Sequence, residues 1–179
     1  MAIKKATSNE TYEYFKVSEV YFYGKFKDYV DALWTQNKIQ ESYVRRLVDL
    51  YAIAAVIGLK LRYRLENDSS SEKRTVQLAQ LTENYQTLLP IMRLVLMLDE
   101  SRGLDEEERV RSAFKMPETR EEYDAAMELF NSYARGGIEY LYQRLIVSPA
   151  GLDSHDYGDD RVNKLVAFIS DPAGSQTLL

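Results

Sequence analysis

The chemistry that the sequence could support is concentrated near its C-terminal end, around the only histidine, His155, in the segment LDSHDYGDD. The aspartates around this histidine are Asp153, Asp156, Asp159 and Asp160, and the first three are the candidate metal ligands. Together these side chains have the donor types that bind a divalent metal ion. The spacing differs from a helix-loop-helix calcium loop, because Tyr157 and Lys164 would occupy positions that need acidic ligands. A solvated loop with an aspartate capping the last helix explains the same residues, and we favour it over the metal site.

A second group of carboxylates lies in the segment LDESRGLDEEER. Its members are Asp99, Glu100, Asp105, Glu106, Glu107 and Glu108. A catalytic pair needs one carboxyl group buried enough for its pKa to rise. Here helix capping and the helix dipole explain the acids without catalysis. The sequence has no cysteine, no nucleophile-elbow serine and no glycine-rich phosphate loop. We therefore expect no cofactor and no catalytic residues, and an enzyme is the less favoured class.

Basic residues interleaved with aromatic ones make nucleic-acid binding an alternative function. One predicted helix carries Arg45, Arg46, Lys60, Arg62 and Arg64, and an earlier segment carries Lys16, Lys25 and Lys27. Such residues can contact phosphates while aromatic rings stack on bases. A formal net charge of -5 disfavours non-specific binding to nucleic acid or to anionic membranes, because both need an excess of positive charge.

Length and composition predict one globular domain over residues 1–179, because 45% of the residues are hydrophobic and 28% are charged. The longest apolar run, YAIAAVIGL, is much shorter than the roughly 20 residues of a membrane span. The N-terminal segment lacks the apolar core of a secretory signal. These features predict a cytoplasmic protein without membrane association.

Apolar residues at helical spacing predict an all-α fold, a compact bundle of about five to seven helices with mostly antiparallel neighbours and a buried central helix. The predicted helices cover residues 15–33, 39–65, 73–99, 105–114, 119–145 and 160–169. Pro90 should kink or divide the third of these helices. The tyrosines between residues 12 and 23 could instead alternate along short strands. We expect frayed ends at 1–10 and 171–179 and a mobile loop at 66–72.

Two turns carry clear start signals for helices. Gly103 is placed as a left-handed helix stop, and Asp105 with Glu108 forms a capping-box pattern for a helix that ends at Phe114. The segment MPETREEY repeats the device, with Thr119 and Glu122 in the corresponding positions.

Two adjacent glycines, Gly136 and Gly137, interrupt a sequence that otherwise reads as a helix. Each glycine costs about 1 kcal/mol relative to alanine in a helix interior. The apolar stripe keeps its phase across the pair, so we expect the helix to continue and a neighbouring backbone to approach closely. Gly58 lies on the apolar stripe of the second helix and could serve in the same way. A ligand pocket beside these glycines is the alternative.

The segments LMLDESRGLDEEERVRSAFK and ELFNSYARGGIEYLYQRLI resemble small helical accessory proteins found with bacterial DNA phosphorothioation and related defence systems. The resemblance covers about a third of the chain. It centres on Phe130, Tyr133, Gly136, Gly137, Ile138 and Leu141. The resemblance implies a cytoplasmic, partner-binding component that works beside a DNA-modifying or DNA-cleaving machine, and it assigns no functional residues.

The leading hypothesis from the sequence is a non-catalytic module that binds another protein. The predicted interface uses aromatic residues near the N-terminus, namely Tyr12, Tyr14, Tyr21, Tyr23 and Trp34. Covering the core is the competing role of each of these side chains. The two alternative functions are a nucleic-acid-binding accessory protein and a metal-dependent enzyme centred on His155.

Overall fold

The computed structural model describes residues 12–35, 38, 41–147 and 160–170. Seven α-helices and one two-stranded antiparallel sheet form this described part, and the helices pack into one core. The all-α class predicted from the helical periodicity is confirmed. The predicted frayed ends, 1–10 and 171–179, lie outside the described residues.

The elements follow one another in a simple chain order. They are β1 (Val20–Tyr23), α1 (Lys25–Leu33), α2 (Leu47–Lys60), β2 (Lys73–Val76), α3 (Leu78–Glu83), α4 (Tyr85–Leu98), α5 (Glu106–Phe114), α6 (Arg120–Tyr142) and α7 (Asp160–Ser170). A π-helical turn, Gln143–Val147, continues α6. No helix within the described ranges is both long enough and apolar enough to cross a membrane.

Helix α6 is the centre of the fold and packs against α1, α2 and α4. Its Phe130 ring lies 5.1 Å from the rings of both Phe15 and Tyr51, measured between centroids. The Phe15 contact is edge-to-face, an arrangement that aromatic quadrupoles favour. All three side chains are fully buried, so this cluster joins α2, α6 and the segment before β1.

The contact between α2 and α6 depends on glycines. A Cβ atom added to Gly137 would lie well under 3.0 Å from the carbonyl oxygen of Ala54. In the reciprocal position, a Cβ atom on Gly58 would overlap the carbonyl oxygen of Tyr133. The two pairings show that the helices run antiparallel, with the backbone of each against a glycine of the other. Helix α6 continues without a break across Gly136 and Gly137. The close contact between the backbones of α2 and α6 depends on this continuous helix.

Gly136 makes room for a different part of the chain. After α2 ends, Arg62 adopts a positive φ of 50°, which takes the chain out of the helical path. The carbonyl oxygen of Tyr63 then lies where a Cβ atom of Gly136 would be. One step further, the backbone N–H of Leu65 donates to the carbonyl oxygen of Ser132 at 3.0 Å. The segment that follows α2 is thus held along the surface of α6.

The predicted helix at 15–33 is wrong in its first half. Val20–Tyr23 forms β1, which pairs antiparallel with β2, and only Lys25–Leu33 is helical. Buried and half-buried side chains alternate along Val20–Tyr23, as the strand alternative required. Tyr12 and Tyr14 precede the strand.

The second predicted helix, 39–65, is shorter in the structure and is not the central one. It forms as Leu47–Lys60, and the positive φ of Arg62 prevents its continuation. Ile53 and Val56 are 45% and 43% exposed, so α2 has a solvent-facing side despite its apolar sequence. The central helix is α6, which carries the glycine pair and packs against several other helices.

The predicted helix at 73–99 is also divided differently. Its first residues form β2, and the break between α3 and α4 falls at Asn84. The Asn84 side-chain amide donates to the carbonyl oxygen of Gln80 at 2.8 Å, which competes with regular helical bonding. Pro90, the predicted break, lies inside α4.

The predicted start signals are confirmed. The Asp105 side chain accepts a hydrogen bond from the backbone N–H of Glu108 at 2.8 Å, and the Glu108 side chain accepts one from the backbone N–H of Asp105 at 3.0 Å. Helix α5 therefore begins with a capping box, and it ends at Phe114. Thr119 caps α6 through the backbone N–H of Glu122. Gly103 has a positive φ of 69°, but α4 already ends at Leu98, so Gly103 turns the α4–α5 loop.

The predicted mobile loop, 66–72, has no helix or strand. Asp68 accepts a hydrogen bond from the backbone N–H of Lys25 at 3.1 Å, at the start of α1. This bond, and a second from Ser70, hold the pKa of Asp68 below its ordinary value. The carbonyl oxygen of Glu72 accepts from Gly24 at 2.9 Å. Hydrogen bonds at Asp68 and at Glu72 therefore join the loop to the β1–α1 junction.

We predict that Gly137→Ala destabilises the protein by at least about 2 kcal/mol, because overpacking against a rigid carbonyl exceeds the gain in helix propensity of about 1 kcal/mol. Urea unfolding followed by circular dichroism measures the change. Gly103→Asn is the matched control, since an added Cβ there has no described heavy atom within 4 Å and asparagine tolerates a positive φ. Equal stability of Gly137→Ala and wild type would contradict the close contact.

Candidate functional site

The aromatic residues predicted to form an interface do not lie on one exposed surface. Tyr14 is only 4% exposed, and its ring stacks on Tyr123 with centroids 6.3 Å apart. Tyr12 is half-buried and lies 6.0 Å from the same ring. Tyr14 therefore covers the core, which was the competing role considered for each of the five aromatic residues. The reason is that the chain before β1 folds back over the N-terminal part of α6.

The other predicted interface residues are half-buried and engaged within the protein. Tyr21 and Tyr23 lie on one face of β1 with ring centroids 5.9 Å apart. The ammonium group of Lys73 lies 3.9 Å from the centroid of the Tyr21 ring. The Trp34 indole N–H donates to the carbonyl oxygen of Arg45 at 3.3 Å. The structure therefore separates the five predicted residues into three local groups.

The basic residues considered for nucleic-acid binding are largely paired with acids. The pairs are Lys16–Glu13, Lys25–Glu139, Lys27–Asp31, Arg46–Asp49, Arg62–Glu100 and Arg64–Asp99. Most of these groups are substantially exposed, and such pairs contribute little to stability. Their positive charge is nevertheless locally balanced, which reduces the attraction for phosphate groups.

The metal-binding hypothesis concerns residues outside the described ranges. Its four members are Asp153, His155, Asp156 and Asp159. Within residues 12–35, 38, 41–147 and 160–170, no group of three or more histidine, cysteine, aspartate or glutamate side chains is placed to hold a metal ion.

The space beside the three glycines is occupied by backbone. Ala54, Tyr63 and Tyr133 supply the carbonyl groups that lie against Gly137, Gly136 and Gly58, respectively. Close packing of backbone therefore accounts for these glycines. This was the interpretation favoured from the sequence, with a ligand pocket as the alternative.

An exposed apolar surface lies on α4 and α5. The large exposed side chains there are Leu94 and Leu98 on α4 and Val110 and Phe114 on α5, and we call this set the α4–α5 apolar face. Phe114 is 60% exposed and Leu98 is 58% exposed. Within each pair the residues are one helical turn apart, so they lie on one side of their helix.

Contacts between the two helices place both pairs beside the same interhelical seam. The guanidinium group of Arg93 lies 4.9 Å from the centroid of the Phe114 ring. Further along, Arg109 Nε donates to the carbonyl oxygen of Met97 at 2.9 Å. These contacts establish antiparallel packing. Phe114 therefore contacts α4 directly, and Val110 lies one helical turn before it on α5.

A buried carboxylate, Asp99, terminates α4 on the inner side of the same layer. It is 1% exposed and accepts hydrogen bonds from the Tyr133 hydroxyl at 2.6 Å and the Ser101 hydroxyl at 2.7 Å. Arg64 donates to it at 3.3 Å, and Arg102 Nε lies 4.0 Å away. Asp99 is thus shared by two guanidinium groups, of which Arg64 is the more exposed.

These interactions determine the ionisation states of Asp99 and Tyr133. Burial acts to raise the pKa of Asp99, but the hydrogen bonds from Tyr133 and Ser101 and the charge of Arg64 outweigh it and hold the pKa below its ordinary value. Burial, together with donation to Asp99, raises the pKa of Tyr133 far above its ordinary value. At neutral pH the pair is therefore a carboxylate and a neutral hydroxyl.

Sequence reasoning missed both the α4–α5 apolar face and the environment of Asp99. The spacing of four residues between Leu94 and Leu98, and between Val110 and Phe114, was a sequence signal that indicated the α4–α5 apolar face. No local signal exists for the second, because Tyr133 lies on a different helix and reaches Asp99 only through the packing of α6.

Comparison with known proteins assigns the chain to no family. No protein-family model, no curated protein and no solved structure matches it. Function is therefore inferred below from the geometry of the described residues and from the sequence resemblance.

We predict that Tyr133→Phe lowers the free energy of unfolding by about 1.5–3 kcal/mol at neutral pH, because it removes a buried hydrogen bond to a charged group. The lowered pKa of Asp99 stabilises the fold above 3.8, and that stabilisation is lost as the pH falls through the folded-state pKa. Tyr133→Phe raises this pKa, so the acid-induced loss of stability should begin at higher pH. Urea unfolding at a series of pH values measures both effects.

Tyr51→Phe is the matched control for this prediction. The Tyr51 hydroxyl is also buried, but it donates to the neutral amide oxygen of Asn131 at 2.6 Å. Its removal should cost about 1 kcal/mol and leave the acid dependence unchanged. The same acid dependence in Tyr133→Phe and Tyr51→Phe would refute the role of Tyr133 in the ionisation of Asp99.

Proposed function

We propose that the protein is a non-catalytic helical protein-binding module, and that its partner binds the α4–α5 apolar face. The observation that carries the proposal is the exposure of four large apolar side chains on two adjacent helices, beside an arginine–phenylalanine contact. Exposed apolar groups that cluster on one surface are typical of interaction sites.

The composition of the face suits a protein interface. Phe114 supplies a large ring that is more than half exposed, and Arg93 lies against it. Aromatic residues and arginine are enriched among the residues that dominate binding energy. Burying the Phe114 and Leu98 side chains under a partner would remove apolar surface from water at about 25 cal/mol per Å².

The surroundings of the face provide a polar rim. Glu107 and Arg111 on α5 form an exposed ion pair at 2.7 Å, and they lie three residues before and one residue after Val110. Exposed pairs of this kind contribute little to the stability of the free protein. They can exchange partners at an interface and favour one orientation of the bound protein.

The sequence resemblance supports the biological context of the proposal. Leu98, Val110 and Phe114 all lie within the segment LMLDESRGLDEEERVRSAFK, which resembles accessory proteins of bacterial DNA phosphorothioation and related defence systems. We infer a cytoplasmic accessory subunit that binds a protein component of such a DNA-modifying or DNA-cleaving system.

The proposal predicts that Phe114→Asp abolishes the capture of a stoichiometric protein partner from nuclease-treated native cytoplasm. A central aromatic residue of an interface contributes at least about 2 kcal/mol, which corresponds to roughly a thirtyfold loss of affinity. Tagged wild type, Phe114→Asp and Leu98→Asp are compared by affinity purification and mass spectrometry. Thermal unfolding verifies that the variants remain folded, as expected for exposed positions.

Ile169→Asp is the matched control, because Ile169 is 79% exposed but lies on α7. It should leave partner capture unchanged. Capture that survives Phe114→Asp and Leu98→Asp would reject the α4–α5 apolar face as the binding surface. Capture that disappears on nuclease treatment of the wild type would favour the nucleic-acid alternative.

A further inference from the structure

A cavity of about 380 Å³ lies between α5 and α6, beneath the loop that joins α4 to α5. Its apolar wall is formed by Leu96, Leu104, Met116, Pro117, Ala126 and Leu129. The polar groups that line it include Tyr14, Arg102 and Ser112. A mostly apolar cavity of this size with a few convergent polar groups is the usual form of a small-molecule site. None of the four residues of the α4–α5 apolar face lines it.

Tyr14 presents an unused donor to this cavity. The residue is 4% exposed, and no hydrogen bond engages its hydroxyl group within the described part of the chain. Burial, more than the opposing charge of Arg102, raises the pKa of Tyr14 to about 12. The hydroxyl therefore keeps its proton at neutral pH. A ligand acceptor in the cavity would take the hydrogen bond that this hydroxyl can donate.

Arg102 supplies the positive charge. Its Nη1 donates to the Ser112 hydroxyl at 3.2 Å, and its Nη2 donates to the carbonyl oxygen of Leu96. The Nε atom is buried without a hydrogen-bond partner among the described residues, at 4.0 Å from Asp99. A guanidinium group has five N–H donors, so only part of its capacity is used. The protein holds this group in place without satisfying it.

The charge of Arg102 is incompletely balanced. Asp99 is the carboxylate nearest to it, but Asp99 also binds Arg64 at 3.3 Å. Arg102 also lines a second, more open depression of about 690 Å³, which shares Ala125 and Leu129 with the first cavity. The guanidinium group thus lies at the junction of two solvent-accessible spaces, where a bound anion would complete its coordination.

The remaining charged groups around the cavity do not oppose an anion strongly. Arg111 and Lys115 line it, as do two glutamates. Glu108 accepts from the Asp105 backbone at 3.0 Å, and Glu122 accepts from the Glu118 backbone at 2.8 Å. Both glutamates therefore serve as helix caps whose charges are directed at backbone N–H groups. Arg111 is paired with Glu107 at 2.7 Å and Lys115 with Glu118 at 3.3 Å, so an anion in the cavity would be recognised mainly by Arg102.

We propose that this cavity binds a small organic anion, whose carboxylate or phosphate group accepts hydrogen bonds from Arg102 and Tyr14. The apolar body of the ligand lies against Leu96, Met116 and Leu129. The proposal does not depend on the α4–α5 apolar face, and it adds a ligand site to a protein-binding module.

Isothermal titration calorimetry with four probes tests the chemistry of the site. The probes are 4-phenylbutyrate, phenyl phosphate, the neutral 4-phenylbutanol and inorganic phosphate. At least one organic anion should bind with one-to-one stoichiometry. The neutral alcohol and inorganic phosphate should bind at least about tenfold more weakly, because each lacks one of the two recognised groups. Comparison of the first two probes distinguishes a carboxylate from a phosphate ligand.

Variants locate the binding. Arg102→Gln should weaken binding of the preferred anion at least about tenfold, and Tyr14→Phe should weaken it severalfold. Tyr12→Phe is the matched control, since Tyr12 packs against the same Tyr123 ring but does not line the cavity. Its affinity should equal that of the wild type.

Three results would overturn the proposal. They are the absence of binding by either organic anion, equal binding of the neutral alcohol, and unchanged affinity in Tyr14→Phe. Arg102→Gln is interpreted only if circular dichroism shows that it folds, because Arg102 also bonds to Leu96 and Ser112. Tyr14→Phe tests the proposal whether or not Arg102→Gln folds, because it removes only the unpartnered hydroxyl group.

Discussion

The approach of α2 to α6 at two reciprocal glycines is the contact on which the rest of the structure depends. Each helix places a backbone carbonyl, from Ala54 or Tyr133, where the other helix has only a glycine hydrogen. Such short backbone contacts permit weak Cα–H···O interactions and extensive dispersion contacts, which alanine at either glycine would prevent. The interaxial distance, and hence the burial of every side chain between the two helices, follows from Gly58 and Gly137.

The same packing creates the polar centre. Because the segment after α2 lies along α6, Arg64 reaches the end of α4 and meets Asp99 there. The Tyr133 hydroxyl arrives at the same carboxylate from α6. Three separate elements thus share one buried charge, and Arg102 completes the group at a longer distance. A buried carboxylate is tolerated here because hydrogen bonds and cations surround it.

Helix α5 connects this interior to the two proposed binding surfaces. One side carries Val110 and Phe114 into solvent, and another side brings Ser112 to the guanidinium group of Arg102. Helix α5 is only nine residues long. Its capping box and its contacts with α4 fix its position, and thereby the position of both surfaces relative to each other. A partner on the outer face and an anion on the inner face would contact the same short helix.

By itself the sequence determined the helical class, the capped starts of α5 and α6, the uninterrupted helix across Gly136 and Gly137, and the helix at Asp160–Ser170. These features depend on periodicity and on hydrogen bonds between residues three or four positions apart, which are visible locally. Tertiary structure alone decided the pairing of Val20–Tyr23 with a distant strand, the burial of Tyr14 and the partners of Asp99. Each of these requires contacts between segments far apart in sequence, whose proximity is set by helix packing rather than by local preference.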